Sequence, residues 1–493
     1  MASTRYVLAV DQGTTSTRAV LLDAKLNVRG IGQQEFTQHF PKAGLVEHDL
    51  KEIWDTTERC IARALKQAKA KGTEIAAIGI TNQRETTGLW TTAGKPIHRA
   101  IVWQDRRTSE LCQELKAKGE EARVKQTTGL VLDPYFSGTK LKWLLDNVKG
   151  ARLMAERGEL KFGTIDTWLV FKMTGGAVHV TDASNASRTL LMNLETLAWD
   201  DAMLSLFDVP RSVLPRIAGS AELYGVTRGM KSLPDGVPVS GIAGDQQAAL
   251  FGQACFDPGE AKCTYGTGAF LLMNVGTSPV QSKAGLLSTV AWKLGDTTTY
   301  ALEGSSFIAG AAVQWLRDGL GLIKKASDVE ALAKTVKSSG AVVFVPALAG
   351  LGAPHWRPDA RGLFAGIDRS TTKGHLARAV LEGIALQIQD LAEAMKLDSG
   401  RAIPAFKVDG GAARNDLLMQ FEADVLGTNV VRPKNVETTA LGAAFLGGLG
   451  VGFWKSPDDI RKAWKADKVF KPKMSVEERA QHLGKWRDAV KRA

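Results

Sequence analysis

Residues 6–10 form an apolar, β-prone run that stops at Asp11-Gln12-Gly13-Thr14-Thr15, and a second apolar run, 17–22, follows at once. Two such runs around a short polar turn predict a β-hairpin. Residues 75–80 read as a buried-type strand, and 100–103 as another. Between them, 50–70 places Ile53, Cys60, Ile61, Leu65 and Ala68 near one face, which predicts an amphipathic helix. The turn-rich stretch Leu233-Pro234-Asp235-Gly236-Val237-Pro238 marks a change, after which the opening pattern returns. Residues 239–242 end in Gly244-Asp245, and 261–264 lead into Tyr265-Gly266-Thr267-Gly268 and a further apolar run. The echo predicts an α/β protein of two similar halves, 1–250 and 251–493, with a cleft between them. Near the end, Ser475-Val476-Glu477-Glu478 matches a capping box, so the final helix is expected to start at Ser475. Its Ala480, Leu483, Trp486 and Val490 form an apolar stripe that predicts packing on the body.

A length of 493 residues exceeds one ordinary core, which suits two or three domains. With 44% hydrophobic and 23% charged residues the chain reads as a globular protein and not a disordered one. The formal charge of +11 is scattered over predicted helices and the basic C-terminus, so it reads as solvated surface. No aromatic–basic motif supports nucleic-acid binding. Four cysteines, Cys60, Cys112, Cys255 and Cys263, show no metal spacing and fit free thiols in a reducing compartment. No signal-peptide pattern opens the sequence and no apolar run approaches a bilayer span, so a cytoplasmic enzyme without membrane insertion is expected.

The sequence lacks G-x-x-x-x-G-K-[ST], HExxH and G-x-S-x-G, and its seven histidines are isolated from one another. What remains is a set of acidic residues at strand ends beside glycine and threonine turns. In the first turn, backbone N–H groups and the hydroxyls of Thr14, Thr15 and Ser16 are the donors that a phosphate oxygen requires, and Arg18 adds a fixed charge. Asp11, at the strand end, could hold Mg²⁺ directly or through water. An ordinary polar hairpin would read the same way. The Tyr265-Gly266-Thr267-Gly268 turn repeats this chemistry, and Val408-Asp409-Gly410-Gly411-Ala412-Ala413-Arg414-Asn415 lets a flat ligand lie against backbone at a helix start. Together the three turns resemble the nucleotide cleft of the hexokinase–actin type.

At this point a specific resemblance emerges. Tyr135-Phe136-Ser137-Gly138-Thr139-Lys140-Leu141-Lys142-Trp143-Leu144-Leu145-Asp146-Asn147 matches the first signature of the FGGY family of carbohydrate kinases. The second is matched from Gly362-Leu363-Phe364-Ala365-Gly366-Ile367 through His375 to Glu382. Gly79-Ile80-Thr81-Asn82-Gln83-Arg84-Glu85-Thr86-Thr87, Ile101-Val102-Trp103-Gln104-Asp105-Arg106-Arg107 and Gly241-Ile242-Ala243-Gly244-Asp245-Gln246-Gln247 resemble the glycerol-phosphorylating members. The resemblance implies two actin/hexokinase-like (ribonuclease H-like) domains, each with a central mixed sheet. It also implies ATP- and Mg²⁺-dependent phosphorylation of glycerol to sn-glycerol 3-phosphate by a homodimer or homotetramer.

Carried onto this sequence, the resemblance has Arg84, Glu85, Tyr135 and Asp245 grip the glycerol hydroxyls, with Gln246 assisting and Trp103 and Phe270 packing on its carbons. Asp245 would be the general base and, with Asp11, a metal ligand. Thr14, Arg18 and Thr267 would meet the phosphates, while Gly310, Gln314, Gly411, Ala412 and Asn415 would surround the adenosine. Taken alone, Arg84–Glu85 also reads as a solvated ion pair, Trp103 as core, Asp245 as a helix cap and Gly310 as a helix-packing glycine. Some family members carry a fructose 1,6-bisphosphate loop or a phosphorylated histidine; the stretch 224–238 has neither the Gly-Gly-Thr-Arg form nor a histidine. Rival readings are a kinase for another polyol or ketose, and an actin-like switch ATPase that turns over without any acceptor.

Overall fold

The structure, a computed structural model, describes residues 5–493. In the first half, strands β1 (Tyr6–Gln12), β2 (Ser16–Asp23), β3 (Val28–Glu35), β4 (Ile75–Asn82), β5 (Ala221–Val226) and β6 (Pro238–Gly244) form one sheet in the order β5-β6-β4-β1-β2-β3. The predicted hairpin is β1–β2, paired antiparallel from Tyr6 opposite Asp23 to Gln12 opposite Thr17. β4 and β6 run parallel to β1 on its other side. The predicted amphipathic helix is α1 (Leu50–Ala68), capped by Asp49 and packed through Ile53, Cys60, Ile61 and Leu65. Of the run 100–103 only Ala100–Ile101 is strand, because the chain then enters a turn in which Asp105 N–H donates to the Val102 carbonyl at 3.0 Å.

The second half repeats the plan. β7 (Ala261–Tyr265), β8 (Ala269–Gly276), β9 (Leu287–Leu294), β10 (Thr297–Ser306), β11 (Phe406–Gly410), β12 (Val430–Pro433) and β13 (Ala466–Phe470) make a sheet in the order β9-β10-β8-β7-β11-β12-β13. β7–β8 is again an antiparallel hairpin, and β11 again runs parallel to its first strand. Each sheet is therefore mixed and carries the same hairpin-then-parallel arrangement, as the repeated pattern predicts.

Helices cover the sheets. α2 (Asp245–Gly252) leaves the end of β6, and α3 (Thr438–Gly450) returns from the second half to pack on α2, β1, β4 and β6. A division at residue 250 thus leaves α3 on the far side from the sheet it covers. The packing is close enough to require glycine: a Cβ on Gly79 would lie 1.8 Å from the Ala443 carbonyl oxygen, and one on Gly442 1.8 Å from that of Ala248. The final helix, α4 (Val476–Arg492), opens with the expected reciprocal Ser475–Glu478 capping box. Its buried stripe runs through Trp486, Ala489 and Val490, whereas Ala480 is exposed; the contact begins a turn later than the sequence predicts, after the helix has reached the body.

Candidate active site

Register places the first group of functional residues. Gln12, Asn82 and Gly244 stand side by side at the ends of three parallel strands. The chain leaving each strand therefore emerges at one sheet edge: residues 13–15 from β1, 83–86 from β4 and Asp245 from β6. Carboxyl ends of parallel strands are where open α/β sheets bind ligands. The edge is held by side chains, since Asn82 and Asn185 exchange amide hydrogen bonds of 3.0 and 3.2 Å, and Gly244 N–H donates to Ser184 Oγ at 3.0 Å.

Arg84 is the centre of this edge. Its guanidinium Nε lies 3.2 Å from Asp245 Oδ1 and 3.9 Å from Glu85, and its Nη2 lies 3.4 Å from the Tyr135 hydroxyl. Both Nη atoms donate to Glu303 on β10, Nη2 at 3.0 Å. Arg188 completes the group, donating from Nε to Glu85 at 2.7 Å and from Nη2 to Glu303 at 2.9 Å. Two guanidinium groups thus meet two carboxylates out of water, a pairing that buried charges need. Burial raises Glu303, but Arg188 and Arg84 outweigh it and hold its pKa at about 2. Glu85 takes a left-handed backbone at φ +60°, a strain common at functional sites, and Thr87 and Ser137 hydroxyls each hold its carbonyl at 3.0 Å.

Asp245 differs from its neighbours by exposure: its side chain is 32% accessible, against 1% for Glu85 and Glu303. It is the carboxylate of the group that a bound molecule can reach. Burial pushes its pKa above the ordinary carboxylate value, while Arg84 and Lys262 pull it back. Its Oδ1 also accepts the Gln246 N–H at 2.7 Å. The Gln246 side chain turns inward to Lys262 Nζ, 2.5 Å away, which also donates to Thr264 at 2.9 Å.

Trp103 joins the two sides of the edge. Its ring meets Tyr135 edge-on at 5.6 Å, and its Nε1 donates to Thr14 Oγ1 at 3.0 Å. Thr15 is exposed and Ser16 half-buried, with Ser16 Oγ accepting from Gln33 at 3.2 Å. Arg18, opposite Asp11 in the hairpin, is paired with Glu437 just before α3 and with Gln33 at 3.1 Å. Phe270 stands opposite Thr264 at the start of β8, half-buried against the core under α3.

The second sheet presents its own edge. Tyr265 pairs with Gly410, so the 266–268 turn and residues 411–415 emerge together. The Thr267 carbonyl accepts from Ala309 and Ala311 N–H at 2.9 and 3.0 Å, fixing the turn to the start of helix Gly310–Asp318. A Cβ at Gly310 would sit 2.5 Å from the Gly266 oxygen, so this glycine is demanded by packing. Gln314 is exposed one turn on, and Gly411 borders open space. Ala412 begins a single helical turn, and Asn415 caps helix Asp416–Leu426 by accepting from Leu418 N–H at 2.9 Å.

Asp11 supplies the remaining carboxylate. Burial raises its pKa to about 7 against the pull of Arg18, with the charges of Asp245 and Glu437 adding to the rise. A buried carboxylate raised by the charge of a second one nearby suits a hard divalent cation, which would favour both in the ionised form. Among the described residues no group of three or more His, Cys, Asp or Glu forms a metal cage. That donor set fits Mg²⁺, which takes one or two carboxylates together with phosphate and water oxygens.

Arg188, Glu303 and Lys262 are the site residues that sequence reasoning passed over. Their signal is a charge inside a small-residue or apolar stretch, as in Tyr300-Ala301-Leu302-Glu303-Gly304, because such a charge must find a buried partner.

Residues 6–252 match the N-terminal domain of the FGGY family of carbohydrate kinases, and residues 261–451 match its C-terminal domain. The chain belongs to this family. This FGGY kinase is 71% identical to a glycerol kinase of Myxococcus xanthus, with all of both chains covered. It is 58% identical to a glycerol kinase of Deinococcus radiodurans, over 100% of this chain and 98% of the relative. Among solved structures it is similar to Plasmodium falciparum glycerol kinase with ADP, at a TM-score of 0.94 and 38% identity, covering 99% and 98% of the two chains. The Lactobacillus acidophilus xylulose kinase follows at a TM-score of 0.88 and 25% identity, covering 99% of this chain and 97% of that one. The two-domain α/β architecture is thus that of sugar and polyol kinases with the actin-like fold.

Proposed function

We propose that this FGGY kinase transfers the γ-phosphoryl group of ATP to the terminal hydroxyl of glycerol, giving sn-glycerol 3-phosphate. The observation that carries this reading is full-length identity of 71% to a glycerol kinase together with the Arg84–Glu85–Tyr135–Asp245 cluster at one sheet edge. A triol needs several fixed donors and acceptors, because a site built to bond each hydroxyl rejects analogues that lack one. Trp103 and Phe270 supply apolar surface for the carbons, and Gln246 orients the base through its backbone N–H.

Asp245 is the general base, supported by its exposure among buried neighbours and by Arg84, which orients it. An alcohol is far less acidic than a carboxylic acid, so Asp245 takes the proton late, as the bond to phosphorus forms. Positioning and charge stabilisation supply most of the rate. Mg²⁺, held by Asp11 and Asp245, would neutralise phosphate charge as transfer proceeds. Thr14, Thr15, Ser16, Arg18 and Thr267 bind phosphate oxygens, and Gly310, Gln314, Gly411, Ala412 and Asn415 line the adenosine side. For Arg18 this requires exchanging Glu437 for phosphate.

In this reading residues 1–250 hold glycerol and phosphate while 251–493 hold the nucleotide, with α3 returning to the first unit. The enzyme works in the cytoplasm as a homodimer or homotetramer; four buried, unpaired cysteines support a reducing compartment. Incubation with glycerol and Mg-ATP, coupled to a dehydrogenase specific for sn-glycerol 3-phosphate, tests the product. NAD reduction dependent on both substrates is expected, and its absence contradicts the reading.

A further inference from the structure

The signature stretch contributes Tyr135 to the site, whereas its lysine, Lys140, makes no hydrogen bond to Arg84, Glu85 or Asp245. Lys140 lies one turn into the helix Ser137–Asn147 and has no exposed surface. Such a position ordinarily takes Leu or Met, since burying an amine costs free energy unless its donors are met. Here they are met by backbone alone: Nζ donates to the Pro134 carbonyl at 3.1 Å and to the Tyr135 carbonyl. The opposite side of the same turn is tied differently. Tyr135 N–H donates to Asp133 Oδ1 at 2.9 Å, and Asp133 takes Arg106 at 2.8 and 3.2 Å. The Asp133 tie is at the surface, whereas the Lys140 tie is buried directly beneath the tyrosine. Burial pushes Lys140 down to about 7, and the neutral amine and the ammonium each have donors enough for two carbonyls.

We propose that Lys140 is a positioning residue, whose hold on the Pro134 and Tyr135 carbonyls sets the Tyr135 ring and hydroxyl against Trp103 and Arg84 and thereby sets affinity for the polyol. This rests on the reading of the Arg84–Tyr135–Asp245 edge as the glycerol site. Lys140 touches no substrate; it acts through one backbone turn. Its removal therefore loosens one substrate and leaves the other, which a general loss of folding would not do.

The test is steady-state kinetics of the full chain with Lys140→Met, of similar length, and Lys140→Gln, which keeps a donor. The KM for glycerol is expected to rise about tenfold in Lys140→Met and about threefold in Lys140→Gln, the scale of lost hydrogen bonds. The KM for Mg-ATP should stay within about twofold in both. In a Tyr135→Ala background, Lys140→Met should add little further, because the side chain it places is gone. If the methionine form does not accumulate, the glutamine form decides the matter. An unmoved glycerol KM, an equal rise in both KM values, or full additivity with Tyr135→Ala overturns the proposal. Wild-type turnover measured alongside separates this from a failure of the glycerol reading, which would show as no glycerol-dependent ADP in the wild type itself.

Discussion

Glu303, on the second sheet, accepts two hydrogen bonds from Arg84, which leaves the first sheet 219 residues earlier. The carboxylate is shared with Arg188, so one buried side chain of the second half orients two arginines of the first. The edge around Arg84 is therefore completed across the two halves. Replacing Glu303→Gln removes the charge and leaves both guanidinium groups underpaired in a buried setting. A loss of about 3–5 kcal/mol is expected for breaking such a pair. Urea unfolding should show the fall in stability, and kcat/KM for glycerol should fall by about 10²-fold or more as Arg84 loses its place.

Trp103 links Tyr135 to Thr14 by ring contact and a 3.0 Å hydrogen bond. Trp103→Phe keeps an aromatic ring and loses the donor. The expected cost is about 1 kcal/mol, or roughly fivefold, and it should appear in the KM of both substrates because the bond joins both sides. Varying glycerol and Mg-ATP in turn checks this.

Asp11 is expected to matter through Mg²⁺. Asp11→Asn removes one hard ligand charge, so the Mg²⁺ concentration for half-maximal activity should rise about tenfold or more at fixed ATP. Titration of Mg²⁺ into the chelator-treated enzyme reads this directly.

Glu422 gives a pH prediction for stability. It is fully buried, and burial pushes its pKa up to about 8 against the opposing pull of the Tyr265 hydroxyl. In the unfolded chain it titrates near its usual value of about 4.3. The folded protein therefore keeps a proton that the unfolded chain releases. The stability Glu422 contributes is complete below about pH 4 and is lost as pH rises through about 8. Glu422→Gln should resemble the wild type at pH 5 and be more stable than it at pH 9, by urea unfolding at the two pH values.

Local elements were legible because their signal is local. The hairpin of β1 and β2, the helix Leu50–Ala68 and the Ser475 cap each lie within a span that periodicity or a cap motif reads directly. The likeness of the two halves was legible in the returning strand–turn–strand pattern, and each sheet is built on an antiparallel hairpin with a parallel strand beside its first strand. Arg84, Glu85, Trp103, Tyr135 and Asp245 came from a resemblance of motifs, and the structure brings them to one edge. For Glu303 and Arg188 a buried charge was legible but its partner was not, since the partners lie 219 and 103 residues away and no periodicity encodes such a pairing. For the same reason α3 could not be assigned to the first sheet; its glycines fit a surface that only the fold creates.

The most direct test of the central claim is ADP release with Mg-ATP and glycerol, dihydroxyacetone, erythritol, xylulose or no acceptor, for the wild type and Asp245→Asn. Strong turnover with glycerol is expected, falling by about 10²–10⁴-fold in Asp245→Asn, the usual worth of a general base. Equal ADP release without an acceptor, or unchanged glycerol turnover in Asp245→Asn, would contradict the account.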